Sequence, residues 1–260
     1  MQFSSSISGI TTSSRISRTE SAFKVNYKFT VEKGTLPCRI TAGVERPEIW
    51  DVLINGVKVT PCGCDPLDHG MGAYDISEYV VDGENTITLD APKFNVLAEI
   101  EPVILRGEFG VKIRGGRFIV TKPAKKLGYG DWKDYKMPFY QGGVVYTYKA
   151  KLIKAPETAR LELNGYDATI VSVKVNGVDA GFIGEEGGDF LEIGKLLKRG
   201  DNVIEVRVAG SLRNVLGPHH GYNEFIPYDW SMYKRGYVPK AEEYAFSPYG
   251  LHAKPTLKID

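Results

Sequence analysis

The sequence predicts an all-β protein built as two β-sandwich domains in tandem. Three observations carry this reading. Short runs alternate apolar and polar residues beside turn signals, long amphipathic helices are absent, and two blocks of the chain recur in the same order. A length of 260 residues accommodates two ordinary domains, and 29 glycines with 14 prolines suit a turn-rich sheet protein.

Residues 1–22 are rich in serine and threonine and lack the continuous apolar run of a secretory signal. They read as a flexible lead-in or as a cut point from a larger chain. The first sandwich is expected over residues 23–122, with strands in "KVNYKFTVE", "WDVLINGVKV" and "NTITLDA". The second is expected over residues 123–260, with strands in "VVYTYKAKL", "IVSVKVNGV" and "NVIEVRVAG". Between them, "VTKPAKKLGYGDW" breaks the alternation with Pro123, three lysines and two glycines.

The recurrence has physical content. "VLINGVKV" (52–59) matches "VKVNGVDA" (173–180), and "YDISEYVVDGENTITL" (74–89) matches "LEIGKLLKRGDNVIEV" (191–206). Asn55-Gly56 and Asn176-Gly177 each supply the positive φ angles of a type I′ hairpin turn. Ile76, Tyr79, Val80 and Ile87 correspond to Ile193, Leu196, Leu197 and Ile204, a shared set of core positions. The offset falls from 121 residues at the Asn-Gly pairs to 117 at the later blocks, so the first copy carries four extra residues between them.

Charge and hydropathy narrow the partners. Lys and Arg number 33 against 32 acids, and no long stretch carries one sign, which argues against nucleic acid. No apolar run approaches the roughly 18 residues of a membrane helix. The three cysteines, Cys38, Cys62 and Cys64, are odd in number, and "CGC" does not have the spacing of a redox CxxC or a zinc knuckle. Buried or free thiols are expected, with one bridge from Cys38 to either of the others left open, and the compartment with it.

The pattern W-x-V-x-I-N-G (50–56), followed by D-I-S-x-Y-V-x-x-G-E-N-x-I (75–87), resembles the galactose-binding-like jelly-roll modules attached to glycoside hydrolases. The likeness is to ancillary sandwich domains of family 2 type enzymes and α-L-rhamnosidase-like proteins. "VKVNGVDAG", "GDNVIEVRVAGSLRNVLGPHH" and the closing "PYGL" (248–251) extend it to the second copy. The resemblance implies a non-catalytic region that binds poly- or oligosaccharide beside a catalytic domain. It also implies an extracellular or periplasmic location if the parent enzyme is secreted. Such enzymes carry paired catalytic carboxylates on a separate (β/α)₈ barrel, and nothing here alternates strand and helix as a barrel must. Two alternatives stay open: modules that only brace a barrel, or a small jelly-roll glycosidase or lyase.

A sugar pocket needs aromatic faces for C–H groups and polar side chains for hydroxyls. Trp132, Tyr135 and Tyr140 form one aromatic group, and His219, His220, Tyr222 and Trp230 another, with Arg213 and Asn214 as polar partners. Trp132 and Trp230 are the expected platforms. The adjacent histidines are poorly placed to share a metal, and the expected cofactor content is none. Glu185-Glu186 is a weak candidate for catalytic carboxylates, read as solvated hairpin acids. The loop "CGCDPLDHGMGAYD", with Asp65, Asp68, His69 and Asp75, is read as a polar turn, with a structural calcium as the alternative and no EF-hand spacing.

Overall fold

The computed structural model describes residues 5–6, 22–98, 100–184, 188–217 and 244–259. The chain divides into two compact units, residues 1–124 and 125–260. Each is a sandwich of mostly antiparallel sheets, so the fold is all-β.

The first unit contains β1 (Ser5–Ser6), β2 (Phe23–Val31), β3 (Ile40–Glu45), β4 (Asp51–Ile54), β5 (Val57–Val59), β6 (Gly63–Cys64), β7 (Met71–Asp75), β8 (Gly83–Ala91), β9 (Ile104–Gly107), β10 (Gly110–Arg114) and β11 (Arg117–Thr121). One sheet runs β10-β11-β2-β8-β4-β5, with β1 also on β2, and the other runs β6-β7-β3-β9. Alternation explains the strands: Val25, Tyr27, Phe29 and Val31 of β2 are buried, while the residues between them point outward.

The second unit contains β12 (Gly143–Leu152), β13 (Ala159–Glu162), β14 (Tyr166–Asp167), β15 (Ile170–Val175), β16 (Val178–Ile183), β17 (Phe190–Glu192), β18 (Gly200–Ala209), the short helix α1 (Arg213–Leu216), β19 (Gly250–Leu251) and β20 (Thr256–Ile259). Its sheets run β12-β18-β15-β16 and β17-β13-β20, with β14-β19 as a two-stranded addition.

The wiring of the two units is the same at its centre. The row β2-β8-β4-β5 corresponds to β12-β18-β15-β16, and the row β7-β3-β9 to β17-β13-β20. Register agrees as well: Ile54 pairs with Ile87 as Val175 pairs with Ile204, and Tyr27 sits opposite Ile87 as Tyr148 sits opposite Ile204.

A side-chain network behind each hairpin turn repeats almost atom for atom. Asn55 (φ 50°) and Gly56 (φ 85°) turn β4 into β5, and Asn176 (φ 52°) and Gly177 (φ 81°) turn β15 into β16. Asn55 Nδ2 donates to the Tyr79 carbonyl and to Asn85 Oδ1, while its Oδ1 accepts from the Thr86 amide. Asn176 does the same to Leu196, Asn202 and Val203. Asn85 and Asn202 are buried, and each fills all four of its hydrogen-bonding positions. Asn85 accepts from Val81 N and Asn55 and donates to the Val81 and Gly83 carbonyls. Asn202 accepts from Lys198 N and Asn176 and donates to the Lys198 and Gly200 carbonyls.

The units differ at two places. The first unit's extra residues fall between β5 and β7, the stretch that carries β6, Cys62, Cys64 and Asp65. The other difference is at a sheet edge. In the first unit β11 runs parallel to β2 at Thr30–Val31, and β1 pairs at Asn26–Tyr27. Among the described residues no strand takes the equivalent edge of β12.

Candidate functional site

The open edge of β12 exposes what its counterpart hides. Alternation in "GVVYTYKAKL" turns Val144, Tyr146, Tyr148 and Leu152 toward the core, yet all four are only partly buried. Tyr129, 41% exposed, lies parallel to Tyr146 with ring centroids 6.3 Å apart and planes within 8°.

Below this pair sits Trp132. A short 3-10 turn, Trp132–Tyr135, starts at Asp131, whose carboxylate accepts from the Lys133 amide, and ends at Lys136 with φ 64°. The Gly130 and Trp132 amides donate to the Leu251 and Tyr249 carbonyls, which fixes this segment along β19. Trp132 is 1% exposed. Its indole N–H donates to the Tyr146 hydroxyl at 3.1 Å, and its ring meets Tyr140 edge-on at 5.6 Å and Tyr249 at 5.9 Å. The expected sugar platform is therefore a core residue: its faces are covered by protein, and its single polar atom holds Tyr146 in place.

Tyr135 and Tyr140 flank the site without forming a second platform together. The Tyr135 hydroxyl donates to the Tyr129 carbonyl at 2.9 Å, and Tyr140, 41% exposed, reaches toward the Gly143 carbonyl at 3.4 Å. Tyr148 completes the row. Its phenol is pushed well above the usual tyrosine range, first by burial and then by the neighbouring Tyr129 and Tyr146 oxygens. The Tyr148 hydroxyl is near enough to Tyr129 to feel it, yet it makes no well-directed hydrogen bond among the described residues.

The expected polar partners lie elsewhere. Asn214 is buried in α1: its Nδ2 donates to the Pro138 and Ser247 carbonyls, its Oδ1 accepts from the Ser247 amide, and its own carbonyl accepts from the Tyr244 hydroxyl. It staples three chain segments and presents no amide to a ligand. Arg213, partly buried at the start of α1, accompanies Tyr244, whose phenol burial raises while the Arg213 charge lowers it. His219, His220, Tyr222 and Trp230 lie outside the described residues, as do Glu185 and Glu186.

Tyr129, Tyr146 and Tyr148 were not among the residues the aromatic clusters singled out. Tyr146 and Tyr148 stand two apart in an alternating run, which puts both on one face. That spacing was the available signal. Their partial exposure depends on the missing neighbour strand, which no local pattern reports.

In the first unit, the carboxylates considered for calcium are engaged within the fold. Asp65 is completely buried, with Oδ2 2.6 Å from an Arg106 guanidinium nitrogen and Oδ1 accepting from the Leu67 amide. Asp68 accepts from the Gly70 amide. Asp75 accepts from the Ser77 hydroxyl and amide and faces Arg39, which together hold its carboxyl below the usual range. Among the described residues no group of three or more His, Cys, Asp or Glu could hold a metal ion. The three cysteines are all free and exposed, so the bridge left open from Cys38 is not formed.

No family model matches the chain, and no curated protein matches it. Among solved structures it is similar to a rhamnosidase from Novosphingobium sp. PP1Y, at 18% identity over 92% of this chain and 22% of that one, TM-score 0.33. It is also similar to the α-L-rhamnosidase of Streptomyces avermitilis complexed with L-rhamnose, at 14% identity over 74% of this chain and 22% of that one, TM-score 0.32. A lectin from Pleurotus ostreatus overlaps at 13% identity over 74% of this chain and 69% of that one, TM-score 0.25. The chain spans about a fifth (22%) of the length of the two rhamnosidases.

Proposed function

We propose that the chain is a non-catalytic, carbohydrate-binding ancillary region of a glycoside hydrolase, with the tyrosine ledge on β12 as its sugar contact. The observation that carries this reading is the stack of the exposed Tyr129 ring on the partly buried Tyr146, buttressed from below by the Trp132 indole. A pyranose ring lays its axial C–H groups on such faces, and its hydroxyls reach the phenol oxygens of Tyr129, Tyr140 and Tyr146. Pre-organisation favours the interaction, because both rings are held before the ligand arrives.

Titration calorimetry with a panel of plant and bacterial oligosaccharides, together with pull-down on insoluble polysaccharides, tests the reading. Binding that falls at least about tenfold in Tyr146→Ala supports it, since aromatic contacts of this kind contribute on the order of 1 kcal/mol or more. No heat and no retention across the panel would sink it.

A second reading, modules that brace a neighbouring catalytic domain, is favoured by a different feature. In the loop after β8, Phe94, Val96, Leu97 and Ile100 are each at least half exposed, a run of large apolar side chains that water does not favour. Loss of solubility of the isolated chain that is relieved by polar substitution at Val96 and Leu97 would support bracing. Unchanged behaviour would count against it.

A further inference from the structure

A second site lies on the outer face of the β6-β7-β3-β9 sheet, in a groove of about 640 Å³. All three cysteines of the chain line it, together with Arg39, Arg106 and Glu108. Cysteines scattered as small core hydrophobes would be buried and apart, whereas these are free, exposed and gathered on one surface.

The groove is built rather than incidental. Gly43 has no side chain, and a Cβ there would stand 2.6 Å from Asp65 Oδ2, so the glycine makes room for the buried carboxylate. That carboxylate holds the Arg106 guanidinium at the groove wall. The Asp65 amide donates to the Met71 carbonyl, which fixes the backbone immediately after Cys64. The segment that carries the Cys64 thiol thus also carries, at Asp65, the carboxylate that pairs with Arg106 of β9. Cys62 differs: its S–H donates to the Ala73 carbonyl at 3.2 Å, so this sulfur is turned toward the sheet backbone. Arg39, Arg106 and Glu108 give the lining both signs of charge.

We propose that this groove takes a small zwitterionic disulfide, one bearing carboxylates and ammonium groups, and that Cys64 forms a mixed disulfide with it. The carboxylates meet Arg39 and Arg106, and the ammonium meets Glu108. Cys64 first gives its proton to solvent. Its thiolate attacks one sulfur of the ligand, the ligand's S–S bond breaks, and its second half leaves as a thiolate that solvent protonates. The Cys64 sulfur passes from thiol to disulfide level as the departing half passes from disulfide to thiol level, and the attacked half stays at disulfide level, so no other oxidant is needed.

The test uses the full chain and two probes, glutathione disulfide and the dicationic cystamine, with adducts located by peptide mass mapping. Rates are divided by those of the same chain unfolded in urea, which removes intrinsic differences between the probes. The expected result is a folded-state preference for glutathione disulfide of about tenfold, the scale of local charge steering. Modification should map to Cys64, with the preference reduced in Arg39→Ala and the adduct absent in Cys64→Ser. A chain carrying Cys38→Ser and Cys62→Ser should still react. Equal normalised rates for the two probes, or an unchanged adduct in Cys64→Ser, would overturn the proposal.

Discussion

The same strand position has two fates in this molecule. In the first unit β2 is an interior strand, flanked by β8 on one side and by β11 and β1 on the other, and its inward row is buried. In the second unit β12 pairs only with β18 among the described residues, and its inward row is half open. The tyrosines at matching register show the difference most directly. Tyr27 is closed in and donates to the Glu101 carbonyl at 2.6 Å, whereas Tyr148 sits beside exposed rings with a poorly satisfied hydroxyl. The edge that β11 and β1 cover in the first unit thus separates a core position from a partly open one.

Several substitutions test that contrast. The largest effect is expected for Trp132→Ala, because the indole fills the second unit's core and holds Tyr146. A loss of about 3–5 kcal/mol in urea unfolding is the scale for a buried aromatic, and it should come with loss of sugar retention. A Trp132→Ala chain that folds normally and only fails to bind sugar would restore the platform reading.

The next effect probes what the units share. Asn85→Ala and Asn202→Ala each strand several part-buried backbone groups and a second asparagine, so each should cost roughly 2–4 kcal/mol. The two losses should be similar, one in each unit, as read by amide exchange in β8 and β18. A large loss at one site only would break the equivalence of the networks.

The smallest effect is the most discriminating. Tyr27→Phe removes a satisfied hydrogen bond and should cost about 1 kcal/mol, while Tyr148→Phe removes a hydroxyl with no well-directed partner among the described residues and should be neutral or stabilising. Equal costs would mean that the open edge of β12 is closed in solution.

Alkaline pH sharpens the same comparison. Burial, and then Glu101, push the Tyr27 phenol from 10.0 to about 12. The folded chain therefore keeps a proton that the unfolded chain releases above pH 10. The stability contributed by this group is complete below pH 10 and is lost as pH rises through 12. Unfolding midpoints measured across that window should fall less steeply in Tyr27→Phe than in the parent chain.

What the sequence revealed and what it withheld divide along the range of the interactions. The hairpins at Asn55-Gly56 and Asn176-Gly177 were legible because a type I′ turn needs only two residues. The core set Ile76, Val80 and Ile87 was legible because alternation is local. Trp132 was misread because its burial depends on β19 and Tyr146, segments that no short window contains. Asn214 was misread for the same reason: its partners, Pro138 and Ser247, are set by chain folding, not by spacing. The gathering of Cys38 with Cys62 and Cys64 depends on strand order, which brings β3 and β6 to either side of β7.

The paired asparagine networks also bear on how the protein ages. An Asn-Gly bond is a weak point in any chain, because the unhindered glycine nitrogen can attack the side-chain carbonyl and turn the amide into an acid. Here the Asn55 and Asn176 amides are tied on both sides, to a backbone carbonyl and a second asparagine through nitrogen, and to a backbone amide through oxygen. The side chain cannot swing onto the glycine nitrogen without breaking all three bonds. An acid formed there would place negative charge against two oxygen acceptors. The β4-β5 and β15-β16 hairpins therefore also bear on chemical lifetime, and the folded chain outlasts the unfolded one at two of its three Asn-Gly pairs, Asn164-Gly165 being the third.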